Sequence, residues 1–321
     1  MSDNQLTAPL APSRPRQVTR WQTVKLRLKK SAPLYVLLAP SLTLLVIFSY
    51  IPIYGLVIAF QDYAPVLGIS GSEWVGFENF IQYFRSYQFW LTIKNTLVIS
   101  VYSLLVNTPL PVALAILCNQ IRHERFKKTF QVITYLPHFI STMVMCGMIL
   151  LFLNPATGLL AHFSQLVGLH LPDVIADPKN FVHIYVWSNV WQNLGWHSII
   201  YLAALSAIDP VYYEAASIDG ASAWQKIWHL DLPLIMPTIV ILLIMSVGRL
   251  LNVGFEKVLL LQNPLNMPAS EIISTYVYKV GLGSSQYSLS TAIGLFNTLI
   301  NGTLLISVNW FSKRLAKLSL F

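Results

Sequence analysis

Residues 214–233 read "EAASIDGASAWQKIWHLDLP" and lie between two long apolar runs. Counting Asp209 just ahead of it, the stretch carries Asp209, Glu214, Asp219 and Asp231 against Lys226 alone. Asp209 followed by Pro210 is an N-cap with proline at the first helical position, and Asp219-Gly220 ends that helix after about two and a half turns. Ser222 with Gln225 three residues on forms a capping box that opens a second helix, expected to stop at Leu232-Pro233. Residues 209–233 are therefore read as a helical elbow. Neither arm reaches the roughly 12 to 15 residues at which an isolated helix is marginally stable in water, so the elbow needs a partner surface. Four acids would be repelled by anionic headgroups, which favours a protein partner over lipid.

Outward from the elbow, the chain belongs in a bilayer. Of its 321 residues, 55% are hydrophobic and 11% charged, where a soluble domain carries about 25% charged residues. Six apolar segments are long enough to cross about 30 Å of hydrocarbon as helices: 34–60, 91–118, 130–153, 182–205, 234–253 and 290–312. The expected fold class is thus an all-α integral membrane protein of six transmembrane helices. Residues 1–33 form a basic arm and 34–321 the membrane domain. In the arm, Val18, Trp21, Val24 and Leu28 recur at helical spacing among Arg14, Arg16, Arg20, Lys25, Arg27, Lys29 and Lys30. That pattern suits an amphipathic helix on the membrane surface, or a disordered basic tail.

Arg122, Arg125, Lys127 and Lys128 in the second connection, and Lys313, Arg314 and Lys317 after the last span, fall on the same side as the basic arm by alternation. The positive-inside rule then places both termini in the cytoplasm of a multi-pass plasma-membrane protein. The elbow shares that side, and its acidity leaves the topology intact because acids contribute little to orientation.

The sequence has no G-x-x-x-x-G-K-[ST] loop for nucleotide phosphates, no H-E-x-x-H and no G-x-S-x-G, so the expectation is a non-catalytic chain without a cofactor or metal of its own. Nothing points to nucleic acid. Cys118 and Cys146 lie in apolar runs without metal spacing and read as core fillers. Pro137 and Pro237 should kink or begin helices.

A route for a polar solute through the bilayer needs aromatic faces and amide or carboxylate groups at membrane depth. Trp191, Asn193 and Trp196 in the fourth span, Asn252, Phe255 and Glu256 closing the fifth, and Asn297 and Asn301 one turn apart in the sixth are the candidates. For Glu256, a substrate role and an interfacial position stand side by side. Trp187 suits an interface belt. Arg249 is expected to pair with a partner helix or with Glu256, two helical turns away.

The elbow also resembles a known signature. E-A-A, three residues, G, and an L-P whose proline lies thirteen positions after that glycine are similar to the cytoplasmic motif of permease subunits of bacterial ABC importers. Glu214, Ala215, Ala216, Asp219, Gly220, Ala221, Leu232, Pro233 and Pro237 match its sugar-importer version; Ile227 departs from the frequent phenylalanine. "WVGFENF" (74–80), "NTL" (95–97), "YLPHFIS" (135–141) and "NPATGLL" (154–160) resemble the maltose-type family. "WQNLGWHSIIYLAAL" (191–205), "VGFEKVLLLQNP" (253–264), "TYVYKVGL" (275–282) and "YSLSTAIGLFN" (287–297) resemble its polysaccharide and complex-oligosaccharide branch.

The resemblance implies a type I importer permease fold whose first elbow helix, with Glu214, Ala215, Ala216, Asp219, Gly220 and Ala221, couples to a separate ATPase. It implies a second homologous six-span permease and two ATP-binding-cassette subunits that hold ATP and magnesium. It further implies an extracellular lipoprotein that binds sugar, and an oligosaccharide cargo of pectin or rhamnogalacturonan type. Two other classes remain at this point: an ion-coupled secondary sugar transporter, and a membrane receptor or scaffold without transport.

Overall fold

The computed structural model describes Trp21, residues 31–166, Gly168 and residues 173–315. Val18, Val24 and Leu28 of the basic arm and Lys317 lie outside the described residues. The chain divides into two units, Met1–Gly55 and Leu56–Phe321. In the first, helix α1 (Ala32–Leu45) has Pro33 in its opening turn, where a missing N–H costs nothing, and continues as a π turn over Val46–Tyr50.

The fold is helical. Among the described residues, four helices are long and apolar enough to cross a bilayer, six if each of two bent pairs counts as one span. The only strands among the described residues form a two-residue antiparallel ladder, β1 (Gln61–Asp62) with β2 (Glu73–Trp74), too short to leave a periodic trace in the sequence. It is anchored by Asn79, whose amide donates to Ala59 O and Gln61 O at 3.0 Å each. Asn79 sits on α2 (Glu78–Arg85), a short helix in the aromatic-rich stretch between Trp74 and Trp90.

The second span is α3 (Tyr87–Asn107) running on into α4 (Pro109–Gln120); Pro109 and Pro111 fall in the first turn of α4 and leave the helix continuous. The fourth is α7 (Pro178–Ser206), opened by Asp177, whose carboxylate accepts from Lys179 N. The expected third span, 130–153, is instead two helices. α5 (Glu124–Tyr135), extended by a 3-10 turn to Phe139, meets α6 (Thr142–Phe152) at 94°. Pro137 takes the tight turn, and Ser141 caps α6 by accepting from Val144 N.

Two further expectations are corrected on the far side of the elbow. The second elbow arm does not stop at Pro233: Ala223–Val247 is one helix of 25 residues. A π turn over Ile227–Asp231 widens the coil where the Pro233 ring would strike the carbonyl four residues back. The length argument for a docked elbow therefore applies to its first arm alone. The fifth span then ends early, because α9 (Leu232–Val247; α8 is the first elbow arm, below) gives way to turns at 248–251. The chain resumes as α10 (Phe255–Leu261) and α11 (Ile273–Tyr278), and closes with α12 (Tyr287–Leu315).

The core forms where α7 meets its neighbours. Ile99, Cys146, Phe181, Val186 and Val258 are buried together in the upper layer, and Ala115, Tyr201, Leu205 and Ile235 in the layer next to the elbow. Both cysteines are buried, as expected of core fillers.

Candidate functional site

The elbow follows the caps read from sequence. α8 (Pro210–Ile218) begins at Asp209, whose Oδ1 accepts from Val211 N at 3.0 Å. It ends with Ala221 N donating to Ala216 O (2.9 Å) and Gly220 N to Ser217 O (3.2 Å), the paired bonds of a Schellman stop. Gly220 holds φ +73°, a left-handed conformation that costs a residue with a Cβ about 1–2 kcal/mol. Ser222 and Gln225 exchange both bonds of the capping box.

The four acids of this region divide into two kinds. Asp209 is spent on the cap. Asp231 is fully buried, accepting from the Tyr213 hydroxyl at 2.5 Å and from Gln120 Nε2, at the end of α4, at 3.2 Å. Burial and the Asp231 carboxylate hold the Tyr213 phenol well above its ordinary range, so it remains a donor. Glu214 and Asp219 are exposed like Asp209, but their carboxylates take no part in a cap. Lys226 pairs with neither; its ammonium donates to Ser217 Oγ at 2.7 Å and braces the elbow from within.

One face of α8 is left open. Val211, Glu214, Ala215 and Ile218 follow i, i+3, i+4, i+7 spacing and all are exposed, Ile218 at 86%. The opposite face carries Tyr213 and half-buried Ala216 toward the body. Ile218 and Val211 escaped the sequence reading, although an apolar pair at helical spacing on a water-facing helix was the available signal.

The second region is built around the break after α9. Two cavities adjoin there. One, of ≈ 320 Å³, is bounded by α3, α7 and α9 and includes Ser100, Asn107, His197 and Arg249; the other, of ≈ 480 Å³, includes His138, Asn193, Phe255, Glu256 and Lys257. Tyr185, Asn189 and Gly254 line both. The Tyr185 hydroxyl accepts from Gly254 N at 3.0 Å, and a Cβ at 254 would lie 2.8 Å from that oxygen, so only glycine permits the contact.

The predicted pathway residues distribute unevenly. Asn193, Phe255 and Glu256 line the larger cavity and Asn252 the smaller. Asn297 and Asn301 reach Asn252 instead: its Oδ1 accepts from their amides at 3.3 and 3.1 Å, while Asn301 Oδ1 accepts from Leu251 N at 3.1 Å. The three asparagines thus tie the irregular stretch to α12. Trp191 and Trp196 line neither cavity, but Trp196 stacks on His138 with ring centres 4.3 Å apart. His138 Nδ1 donates to Asn193 Oδ1 at 2.9 Å, and Asn193 Nδ2 to Asn189 Oδ1 at 2.9 Å. His138 and Asn189 were not singled out from sequence, because the 94° bend that brings His138 to α7 is a tertiary fact.

Trp187 donates to Tyr102 OH at 2.9 Å. The expected Arg249–Glu256 pair does not form: the ion pairs among the described residues are Lys128–Glu124 and Lys279–Glu271. The reason is the helix break, since turns at 248–251 replace the two continuous helical turns on which the pairing rested.

Comparison with known proteins agrees with this architecture. The family described as "Binding-protein-dependent transport system inner membrane component" matches residues 108–317. The chain is 41% identical over 281 residues to the polygalacturonan/rhamnogalacturonan transport system permease protein YteP of Bacillus subtilis (strain 168), covering 88% of each chain. It is 38% identical over 294 residues to protein LplB of the same organism, covering 92% of each. Among solved structures, a chain of a bacterial alginate ABC transporter in complex with an alginate pentasaccharide-bound periplasmic protein superposes with TM-score 0.85 at 38% identity, over 92% of this chain and 98% of that one.

Proposed function

Since this chain belongs to the binding-protein-dependent transport system inner membrane component family, we propose that it is the translocation subunit of an ATP-driven oligosaccharide importer and that α8 is its handle for an ATPase. The open face of Val211, Glu214, Ala215 and Ile218 is the observation that carries this reading. It offers one carboxylate and two apolar anchors on a rigid, doubly capped helix, which suits a basic-rimmed groove. Asp219, Gly220 and Ala221 set the angle at which the helix is presented.

The wider assembly follows the same logic. A second homologous permease completes the membrane pathway, and two ATP-binding-cassette subunits bind ATP and magnesium and close against the two handles. An extracellular sugar-binding lipoprotein delivers cargo, and both termini are cytoplasmic. This subunit performs no bond chemistry; it converts closure of its partners into rearrangement of its spans. The name of one relative, the polygalacturonan/rhamnogalacturonan permease YteP, supports a cargo derived from pectin or rhamnogalacturonan, with Asn193, Phe255, Glu256 and Asn252 along its route.

The test is capture and uptake in the complete complex. The wild-type subunit should co-purify with an ATPase, and uptake should stop on ATP depletion while surviving a proton uncoupler. Glu214→Lys should insert normally, lose the ATPase and lose uptake. Normal uptake by that variant sinks the handle role.

A further inference from the structure

The smaller cavity holds groups that the protein itself does not satisfy. Arg249 lines it, and its guanidinium has no hydrogen-bond or ion-pair partner among the described residues. Ser100, 6% exposed, and Ser103 lie on the facing wall, and both hydroxyls are buried without a partner. A serine in a helix ordinarily returns its proton to a carbonyl one turn back, as Ser188, Ser206 and Ser246 do here. That neither Ser100 nor Ser103 does so leaves two donors beside one cation.

Location adds to this. Ser103 is near the midpoint of the 34-residue span Tyr87–Gln120, so the cavity sits close to the bilayer centre. Irregular backbone at such depth is stable only against protein or a wet cavity, and the stretch 248–254 supplies Arg249, Leu250, Asn252, Val253 and Gly254 to the lining. A lone arginine at that depth is expensive and marks a site where an anion is met. The volume, ≈ 320 Å³, falls within the range of small-ligand sites.

We propose that the Arg249 cavity is a transient subsite for an acidic sugar residue, with the guanidinium forking onto a hexuronate carboxylate and Ser100 and Ser103, after a turn about χ1, bonding ring hydroxyls. A planar fork suits a carboxylate better than a point charge does. The inference rests on the reading of this chain as an oligosaccharide permease and adds the residue that distinguishes acidic from neutral cargo. Asn107 and Asn189, also on the lining, serve either kind of cargo.

The experiment uses the complete importer in proteoliposomes with two probes of equal length, a galacturonate oligosaccharide and its carboxyl-reduced, neutral counterpart. In Arg249→Gln, uptake of the acidic probe should fall about 10- to 100-fold, the span of one lost charge-assisted contact, with the neutral probe nearly unchanged. Arg249→Lys should keep part of the acidic preference, and it covers the event that the Gln variant fails to assemble. Ser100→Ala with Ser103→Ala should lower both probes several-fold alike. An equal fall of both probes in Arg249→Gln, or in Arg249→Lys if only that variant assembles, assigns the arginine to structure and overturns the proposal. So does a preference unchanged in the Gln variant. If the wild-type importer carries neither probe under ATP, the oligosaccharide reading itself fails and the subsite falls with it.

Discussion

The elbow at the base of the molecule and the cavities at the helix break are both polar interruptions of an apolar chain, yet they are constructed in opposite ways. In the elbow every cap is local: Asp209 to Val211, Ser222 to Gln225, Gly220 to Ser217. Its outward groups, Glu214 and Ile218, are left free by design of the helix face. At the break the bonds span 45 to 69 residues of sequence, from Asn252 to Asn297, Leu251 to Asn301 and Gly254 to Tyr185. A local device can be moved as a rigid body, whereas a long-range one changes shape when its helices shift. The difference suits a handle at one end and a reshaping route at the other.

That contrast can be broken at its strongest point first. Reversing the charge at Glu214 meets a groove with repulsion instead of attraction, a swing of about 2–5 kcal/mol or more than about 30-fold in affinity. Glu214→Lys should therefore abolish ATPase capture while the melting temperature of the purified subunit stays put. A lowered melting temperature with capture intact would move Glu214 from the free face into the fold.

Next in size is the Tyr213–Asp231 bond, which ties the two arms of the elbow together. Tyr213→Phe leaves buried Asp231 short of its closest donor and should destabilise the subunit by about 1–3 kcal/mol. It should also loosen the handle, read as more ATP hydrolysed per sugar imported. The tether has a definite pH sign. A phenol whose folded pKa is raised contributes stability that is fully present below its unfolded value of about 10 and lost as pH rises further. Coupling should accordingly hold through neutral and mildly alkaline pH, with the wild type losing stability above about pH 10 and Tyr213→Phe lacking that step.

Gly220→Ala forces a Cβ into the left-handed region and should cost about 1–2 kcal/mol of stability. Space is not at issue, since nothing lies within 4 Å of the added atom. Thermal melting of Gly220→Ala beside Gly220→Asn, which tolerates that conformation better, would separate strain from contact. The smallest effect is expected at the break. Asn301→Ala removes bonds to Leu251 N and Asn252, at about 1 kcal/mol in a membrane protein where interhelical bonds are individually modest. A larger loss confined to transport rate would show that the asparagine tie moves during the cycle.

Much of this molecule was legible in its residues. The elbow caps, four of the six spans within a few residues of their ends, and the buried cysteines follow from patterns no longer than a helical turn or a run of apolar side chains. For the third span the sequence marked the kink at Pro137 but not its direction: the 94° bend, and the contact of His138 with Trp196 and Asn193 that goes with it, are tertiary facts. Of the two partners expected for Arg249, a neighbouring helix or Glu256, the second rested on an unbroken helix, which the packing of 248–254 against Tyr185 and Asn301 removes.

By itself the sequence determined a six-segment apolar chain with a capped acidic elbow, because hydropathy, caps and turn residues act through neighbours a few positions away. Tertiary structure alone decided which acids stay outside, where the fifth span breaks and which polar side chains face a cavity. Those outcomes depend on hydrogen bonds between groups far apart in the chain, and at membrane depth a polar group takes whatever partner the packing brings to it.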